Sequence, residues 1–358
     1  MPAIGLKTAA VVCALVGLSI VASGLDMAAP LHRETPEAGL DGPRIAVIDP
    51  AGCLDSAGIS ALRKLGKVAL SDGVRSAAQT SQSLAGVDIA IVDSYATAPI
   101  TAAVLERAKT LKLLVLCSTG YERVDLAAAT RKDIRVASVP AYSTEAVAEQ
   151  TFALMFAVAR HVVLADSRVR RGQFQTGGTD RSLLGFDLTG KTLGVVGLGR
   201  IGTRVAQIGQ GFGMRVLAWD RSAKALPGVT PVMLEQLLKE SDVVSLHLPL
   251  TPQTERILNA GRLGFMKPSA ILINTARGEL IDEAALYKAL RSRRIAGAGL
   301  DVLSEKSRSN PLLMLGNVVF SPHSAYYTRE SLSKRTQSIV QTIRAFQSGN
   351  PINVVNFR

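Results

Sequence analysis

Three glycines carry the clearest chemistry in this chain. In the stretch KTLGVVGLGRIG, residues 191 to 202, an apolar strand runs directly into Gly197, Gly199 and Gly202, and a helix-compatible run from Ile201 to Phe212 follows. Each glycine has a physical role: Gly197 permits a tight turn, Gly199 lets backbone approach a pyrophosphate, and Gly202 lets helix and strand pack closely. The helix start, with Arg200 and Ile201 beside the glycines, offers free amides and a positive dipole end to a diphosphate. The next strand, Met214 to Trp219, ends in Asp220, eighteen residues past Gly202. There an aspartate accepts hydrogen bonds from adenosine ribose hydroxyls and repels a 2′-phosphate, which favours NAD. Arg221 and Ser222 follow at once and leave NADP open.

A dinucleotide turn needs a parallel sheet to hold it, and the surrounding pattern supplies one. From Arg44 short apolar runs alternate with helix-like segments, the form taken by a parallel sheet flanked by helices. Strands are expected at 44 to 48, 67 to 70, 88 to 92, 112 to 116 and 134 to 137, with helices near 54 to 66, 75 to 86, 100 to 110 and 124 to 132. That unit has no glycine fingerprint of its own. A single long helix is expected from Ser143 to Arg171, opened by Ser143 or Thr144 with Glu145 behind it. Among its apolar residues His161 reads as packing or interface. After a loop rich in Gly, Thr and Ser, residues 172 to 185, a second alternating unit runs from Thr189 to about Pro322. Thr328 to Gln347 reads as a helix, and Pro351 to Phe357 as an extended end. At 358 residues, two domains are expected.

Composition narrows the class. Hydrophobic residues make up 47% and aromatics only 4%, a balance that suits close helix-on-sheet packing in an α/β protein. The net charge of +12 is scattered over positions and short clusters such as Arg168, Arg170 and Arg171. No helix-turn-helix, zinc or stacking signature accompanies it, so nucleic-acid binding is not expected; a basic surface that attracts small acids is the plainer reading. The three cysteines, Cys13, Cys53 and Cys117, show no CxxC or metal spacing, and the reading is of no disulfide framework, no metal and a reducing compartment. Lys7 precedes an uncharged run from Thr8 to Leu25, which reads as a signal peptide, a membrane anchor, or sequence upstream of a true start at Met27. A linker from Asp26 to Pro43 follows. The expected location of the body is cytoplasmic, with export or anchoring through residues 8 to 25 as the alternative.

Four blocks make a family resemblance specific: VVGLGRIGTRVA at 195 to 206, HLPLTPQT at 247 to 254, INTARGELIDEAAL at 273 to 286, and AGLDV at 298 to 302 followed by SPHSA at 321 to 325. In content, order and spacing they resemble the D-2-hydroxyacid dehydrogenases, and the likeness extends from about Arg44 to Asn353. It implies two open parallel-sheet domains. A flavodoxin-like substrate domain from residues 44 to 143 and 324 to 358 would carry an inserted Rossmann dinucleotide-binding domain, residues 144 to 323, behind an N-terminal segment 1 to 43. It also implies a homodimer, with the active site in the cleft.

The same resemblance implies roles. Arg277 matches the cation that holds the substrate carboxylate and polarises the keto oxygen, where negative charge grows as hydride arrives. His323 matches the acid/base that protonates the new alkoxide. Asp301 matches the acid facing the nicotinamide carboxamide, Thr275 and Ala276 match backbone contacts to the cofactor, and His247, Pro249 and Thr254 lie in the block that lines its cleft. Ser118, Thr119 and Gly120 resemble the loop whose amides grip the substrate carboxylate, and Tyr326 falls where the family places a pocket aromatic. At one place the pattern breaks. Five residues after Asp301, where the family has the glutamate that holds the histidine and favours imidazolium, this chain has Lys306, with Glu305 one residue earlier. Either the loop is rerouted and Glu305 turns inward as a substitute, or catalysis is impaired. The expected function is therefore NAD(P)-linked interconversion of a small 2-keto acid and its D-2-hydroxy acid, glyoxylate or hydroxypyruvate first, since AYSTEAVAEQTFAL at 141 to 154 is similar to glycerate dehydrogenase-like members. The alternative is a non-catalytic NAD-sensing or partner-binding protein, as in the C-terminal-binding-protein branch.

Overall fold

The computed structural model describes residues 42–93, 95, 97–174, 181–222 and 225–357. The apolar run 8–25, most of the linker that follows it, Cys13, and part of the loop 172–185 lie outside the described residues.

The first sheet contains β1 (Arg44–Ile48), β2 (Lys67–Ser71), β3 (Ile89–Val92), β4 (Leu113–Leu116) and β5 (Arg135–Ala137), in the order β2-β1-β3-β4-β5. Every pairing is parallel, and the order is that of a flavodoxin-like doubly wound sheet. β3 and β4 read IAIV and LLVL and are buried throughout, as continuous apolar strands must be when helices cover both faces. Helix starts agree with local chemistry: Ser76 and Gln79 form a reciprocal capping box, and Asp55 and Asp125 each accept a backbone N–H of the first turn.

The second sheet contains β6 (Thr192–Val196), β7 (Arg215–Trp219), β8 (Val229–Pro231), β9 (Val243–Leu246), β10 (Ile271–Asn274), β11 (Gly297–Leu300) and β12 (Val318–Phe320). Its order is β12-β11-β10-β9-β6-β7-β8, again all parallel. The order reverses between β6 and β9, the place where open α/β sheets bind ligands at their strand ends.

The C-terminal helix Arg329–Gln347, capped by Thr328, returns to the first sheet. Its Ile339, Val340 and Ile343 pack with Ile45, Ile89 and Leu113 in one core, and Gln347 donates to the Leu65 carbonyl. The end of the chain forms an antiparallel bridge from Val354 to Ala137. Segments 44–139 and 339–355 thus build the first sheet's cores, with the second sheet between them in sequence.

Two expectations need correction. The helix expected from Ser143 to Arg171 is two helices, Thr144–Ala159 and Val162–Arg170, bent by 63°. His161 at the break lies in the left-handed region, φ 52°. The cause is a returning segment: Phe186 N–H donates to the Ala159 carbonyl, and only a glycine at position 185 allows the approach to that carbonyl. Ser143 does stand at the N-cap, but its side chain makes no capping bond. The second correction concerns the cysteines. Cys53 and Cys117 form a disulfide, Cα–Cα 5.4 Å, buried in the first core. Sequence spacing concealed it because 64 residues separate the pair; the sheet brings the short helix Pro50–Cys53 over the end of β4. Among the described residues no single helix is long and apolar enough to cross a membrane.

Candidate active site

Beyond the strand ends lies a cavity of about 650 Å³, whose wall includes Tyr95, Glu122, Arg277, Asp301, Lys306 and His323. Arg277 is aimed by the turn after β10. The buried Asn274 side chain accepts from Ala276 N–H and donates to the Arg277 carbonyl, folding the chain so that the arginine projects inward. Its guanidinium donates through Nε to Glu122 Oε1 at 2.5 Å and through Nη1 to the Ala276 carbonyl at 2.8 Å. Nη2 lies against Gly120, where a Cβ would collide with it, with the Glu122 carboxylate and with the Tyr95 hydroxyl. Gly120 is the one residue type that leaves room for this convergence.

The loop after β4 is held by its own side chains. The Ser118 hydroxyl donates to the Gly120 carbonyl and the Thr119 hydroxyl to the Val139 carbonyl. Thr119 and Gly120 N–H groups have no acceptor among the described residues. They are therefore available to an anion beside Arg277.

His323 follows β12 with φ 56°, an uncommon conformation for a residue with a side chain. Asp301 holds it there. The Asp301 carbonyl accepts His323 N–H at 2.8 Å, and its buried carboxylate accepts from Ser321 Oγ, Ser324 N–H and Ala325 N–H. Tyr95 meets the imidazole edge-on at 5.5 Å, and Arg277 lies over the same tyrosine ring at 5.7 Å. Burial, then the charge of Arg277, push the His323 imidazolium down from its ordinary value; Asp301 and Glu122 oppose this and Lys306 adds to it.

Lys306 lines the cavity and Glu305 does not. The expected rescue by Glu305 finds no support in the loop geometry: Glu305 N–H points to Glu283 and its carbonyl accepts from Asn310. Tyr326 is also placed differently from the expectation. It packs edge-on against His323 at 6.1 Å, against Tyr142 and against Arg335, and it reaches the cavity wall only through that contact with His323.

Tyr95 and Glu122 were not singled out from sequence. Tyr95 donates to Glu122 Oε1 at 2.6 Å and completes the Arg277 environment. The usable signal was position alone: both residues follow the carboxyl ends of strands, β3 and β4.

The dinucleotide residues lie at the β6–β9 switch point. Gly197 has φ +101°, and a Cβ there would meet the His247 carbonyl at 2.7 Å. A Cβ on Gly202 would collide with the Gly197 carbonyl, whereas Gly199 faces open space. Helix Arg200–Gly211 begins at Gly199 with no side-chain cap, so its first amides are presented outward, and Ile201 packs into the core below. This cradle fits a diphosphate. Asp220 follows β7 beside a second cavity walled by Leu198, Trp219, Ser222 and Val232. Its carboxylate accepts Leu198 N–H at 2.7 Å and Ser222 N–H and hydroxyl at 2.8 and 2.7 Å, joining the glycine turn to the β7 end. His247 contacts Ser245 Oγ at 2.8 Å, and burial lowers its pKa to about 3, so it is neutral in use. Thr254 donates to the Pro249 carbonyl and shapes that turn. The Thr275 hydroxyl pairs with Thr151 on helix Thr144–Ala159, which leaves Thr275 only its backbone to offer.

Known proteins agree with this geometry. Residues 152–325 match the D-isomer specific 2-hydroxyacid dehydrogenase, NAD binding domain. The chain is 43% identical to a glyoxylate reductase of Korarchaeum cryptofilum over 270 residues, 74% of this chain and 81% of that protein. It is 38% identical to a glycerate dehydrogenase of Methylorubrum extorquens over 280 residues, 76% and 86% of the two chains. Among solved structures, an acyclic imino acid reductase in complex with NADPH and D-Arg superposes with TM-score 0.81 at 36% identity, covering 87% of this chain and 99% of that one. The cradle, the arginine-histidine cavity and these likenesses lead to one assignment: the chain belongs to the D-isomer specific 2-hydroxyacid dehydrogenase family of NAD(P)-dependent oxidoreductases.

Proposed function

We propose that the chain reduces a small 2-keto acid to the D-2-hydroxy acid, with glyoxylate and hydroxypyruvate as the first acids to test. The observation that carries this reading is the placement of Arg277 and His323 on the wall of one cavity, both held against the Tyr95 ring. The substrate carboxylate is received by the Thr119 and Gly120 amides and the Nη edge of Arg277. Arg277 also polarises the keto oxygen, and His323 delivers the proton to the alkoxide. The bound nicotinamide supplies the hydride. Asp301 positions the histidine through its loop, and Asp220 gives NAD the preference over NADP. A panel of 2-keto acids with NADH and with NADPH, followed by absorbance, tests the reading; no turnover of any acid, alongside micromolar dinucleotide binding, replaces it with the non-catalytic sensor, which Lys306 beside His323 favours.

Two further parts of the reading concern assembly and place. Val162, Val163 and Val169 on helix Val162–Arg170, with Phe174 beyond it, are exposed apolar residues on one segment, which supports a homodimer through the nucleotide-binding half. Light scattering of the purified protein decides this. The cytoplasmic placement now rests on dinucleotide supply alone, because the disulfide removes the cysteine argument. N-terminal sequencing of the natively expressed protein distinguishes retention, cleavage and a start at Met27.

A further inference from the structure

The cations of the cavity are not equivalent. Arg277 is engaged by Glu122 and the Ala276 carbonyl. Arg123 donates to the Thr97 carbonyl and lies over the Tyr95 ring at 5.9 Å. Lys306 lines the same wall and has no hydrogen-bond or ion-pair partner among the described residues. The segment that carries it is fixed. The Glu283 carboxylate accepts from Ser304 N–H at 2.5 Å and from Asn310 Nδ2 at 3.0 Å, and Asn310 Nδ2 also donates to the Glu305 carbonyl at 2.9 Å. This turn sets Lys306 on the cavity side while Glu305 stays off it.

We propose that Lys306 is a specificity-determining residue that receives a second anionic group of the substrate, so that the preferred substrates are 2-keto acids with a distal carboxylate or phosphate. The inference deepens the function proposed above and rests on it. One carboxylate goes to Arg277 and the Gly120 loop; the second anion goes to the Lys306 ammonium. Arg277 and Lys306 both line this cavity, so one substrate molecule with an anion at each end meets both cations.

The arrangement also gives the lysine a use in the reaction. Charged groups around the His323 ring are Arg277 and Lys306, which oppose imidazolium, and Asp301 and Glu122, which favour it, with the neutral Tyr95 at its edge. A substrate anion on Lys306 neutralises that ammonium and brings negative charge to the side of the ring where the family keeps a glutamate. The substrate thereby supplies what the chain lacks. The chemistry is unchanged: the keto carbon takes the hydride from the reduced nicotinamide, the keto oxygen takes the proton from His323, and the distal group does not react.

The test compares acids matched in carbon skeleton, with NADH: oxaloacetate against 2-oxobutyrate, 2-oxoglutarate against 2-oxopentanoate, and 3-phosphohydroxypyruvate against hydroxypyruvate. The expected kcat/KM is at least about tenfold higher for the doubly anionic member of at least one pair, with KM lowered and kcat raised, and the advantage is reduced by added salt. Which pair shows it identifies the anion as carboxylate or phosphate. Lys306→Met raises KM for the doubly anionic acid and so removes the advantage, while reduction of the neutral-tailed acid increases with the opposing ammonium gone; Lys306→Arg retains the advantage. Equal kcat/KM within every pair, or a ratio that survives Lys306→Met, overturns the inference. If no acid is reduced at all, the proposed function fails separately. Calorimetric binding of the three pairs to the NAD-saturated protein then decides the subsite: tighter binding of the doubly anionic member of one pair, lost in Lys306→Met, supports it, and equal binding within every pair rejects it.

Discussion

Glu122→Gln probes the ion pair at the centre of the site. The carboxylate accepts from Arg277 Nε at 2.5 Å and from the Tyr95 hydroxyl at 2.6 Å, and the two charged side chains are 25% and 27% exposed. A hydrogen bond to a charged group contributes about 1.5–3 kcal/mol, and truncating one partner of a fully buried pair costs about 3–5 kcal/mol. Partial exposure screens this pair, so the expected loss is about 2 kcal/mol, or roughly 3 °C in Tm for a chain of this length. The sign with pH follows from Glu122 itself. Burial pushes its carboxyl up, but the Arg277 charge and the bonds from Arg277 and Tyr95 outweigh burial and hold it below its ordinary 4.5. A depressed pKa contributes stability that is full above 4.5 and is lost as pH falls through the lowered value. The Tm gap between wild type and Glu122→Gln should therefore be constant at neutral pH and close in acid. Activity should move the other way. Removing a negative charge that competes for Arg277 lowers KM for a 2-keto acid by about tenfold, the equivalent of about 1.4 kcal/mol, with kcat changed less. Thermal melts across pH and steady-state kinetics at pH 7 read both effects. An unchanged Tm would refute the energetic reasoning, and a raised KM would show that Glu122 orients Arg277 for the substrate instead of competing with it.

Lys306→Glu should raise reduction of glyoxylate at pH 7 by at least about tenfold, about 1.4 kcal/mol of barrier. Because burial, Arg277 and Lys306 hold His323 low, wild-type reduction of that acid should increase as pH falls; a flat profile, or activity abolished by Glu305→Gln, would contradict this assignment of the proton donor. Asp220→Ser should erase a preference for NAD over NADP, measured by binding of the two dinucleotides, and equal affinities in the unmodified protein would show that Arg221 and Ser222 dominate. Loss of the Cys53–Cys117 bond, by Cys53→Ser or by reduction, should lower stability by about 4 kcal/mol on the chain-entropy estimate for a 64-residue separation; denaturant melts that do not shift would show that the bond is absent in solution.

The outline of the fold was legible because its signals are local. Apolar runs bounded by turns placed all five strands of the first sheet to within one residue, and the Gly197, Gly199 and Gly202 triplet marked the strand-turn-helix unit. Where a distant segment overrode local preference, the reading failed. Helical periodicity continued through Arg160 and His161, but there the returning Phe186 amide and Gly185 backbone meet the Ala159 carbonyl and the helix ends.

The candidate site divides along the same line. Arg277, His323, Asp301 and Lys306 could be named from blocks of sequence, because each lies in a short run whose composition and order are informative. Their relationships could not. That Tyr95 and Glu122 surround Arg277, that Lys306 and not Glu305 lines the cavity, and that Cys53 reaches Cys117 depend on contacts between residues 27 to 155 positions apart in the case of the Glu122 partners, and 64 in the case of the disulfide. Local pattern determines which stretches become strand, turn and helix, since backbone conformation answers to neighbouring residues. Which side chains share a charge, a hydrogen bond or a wall is decided only when the strand ends are assembled side by side, because those energies depend on distance in space and not on distance along the chain.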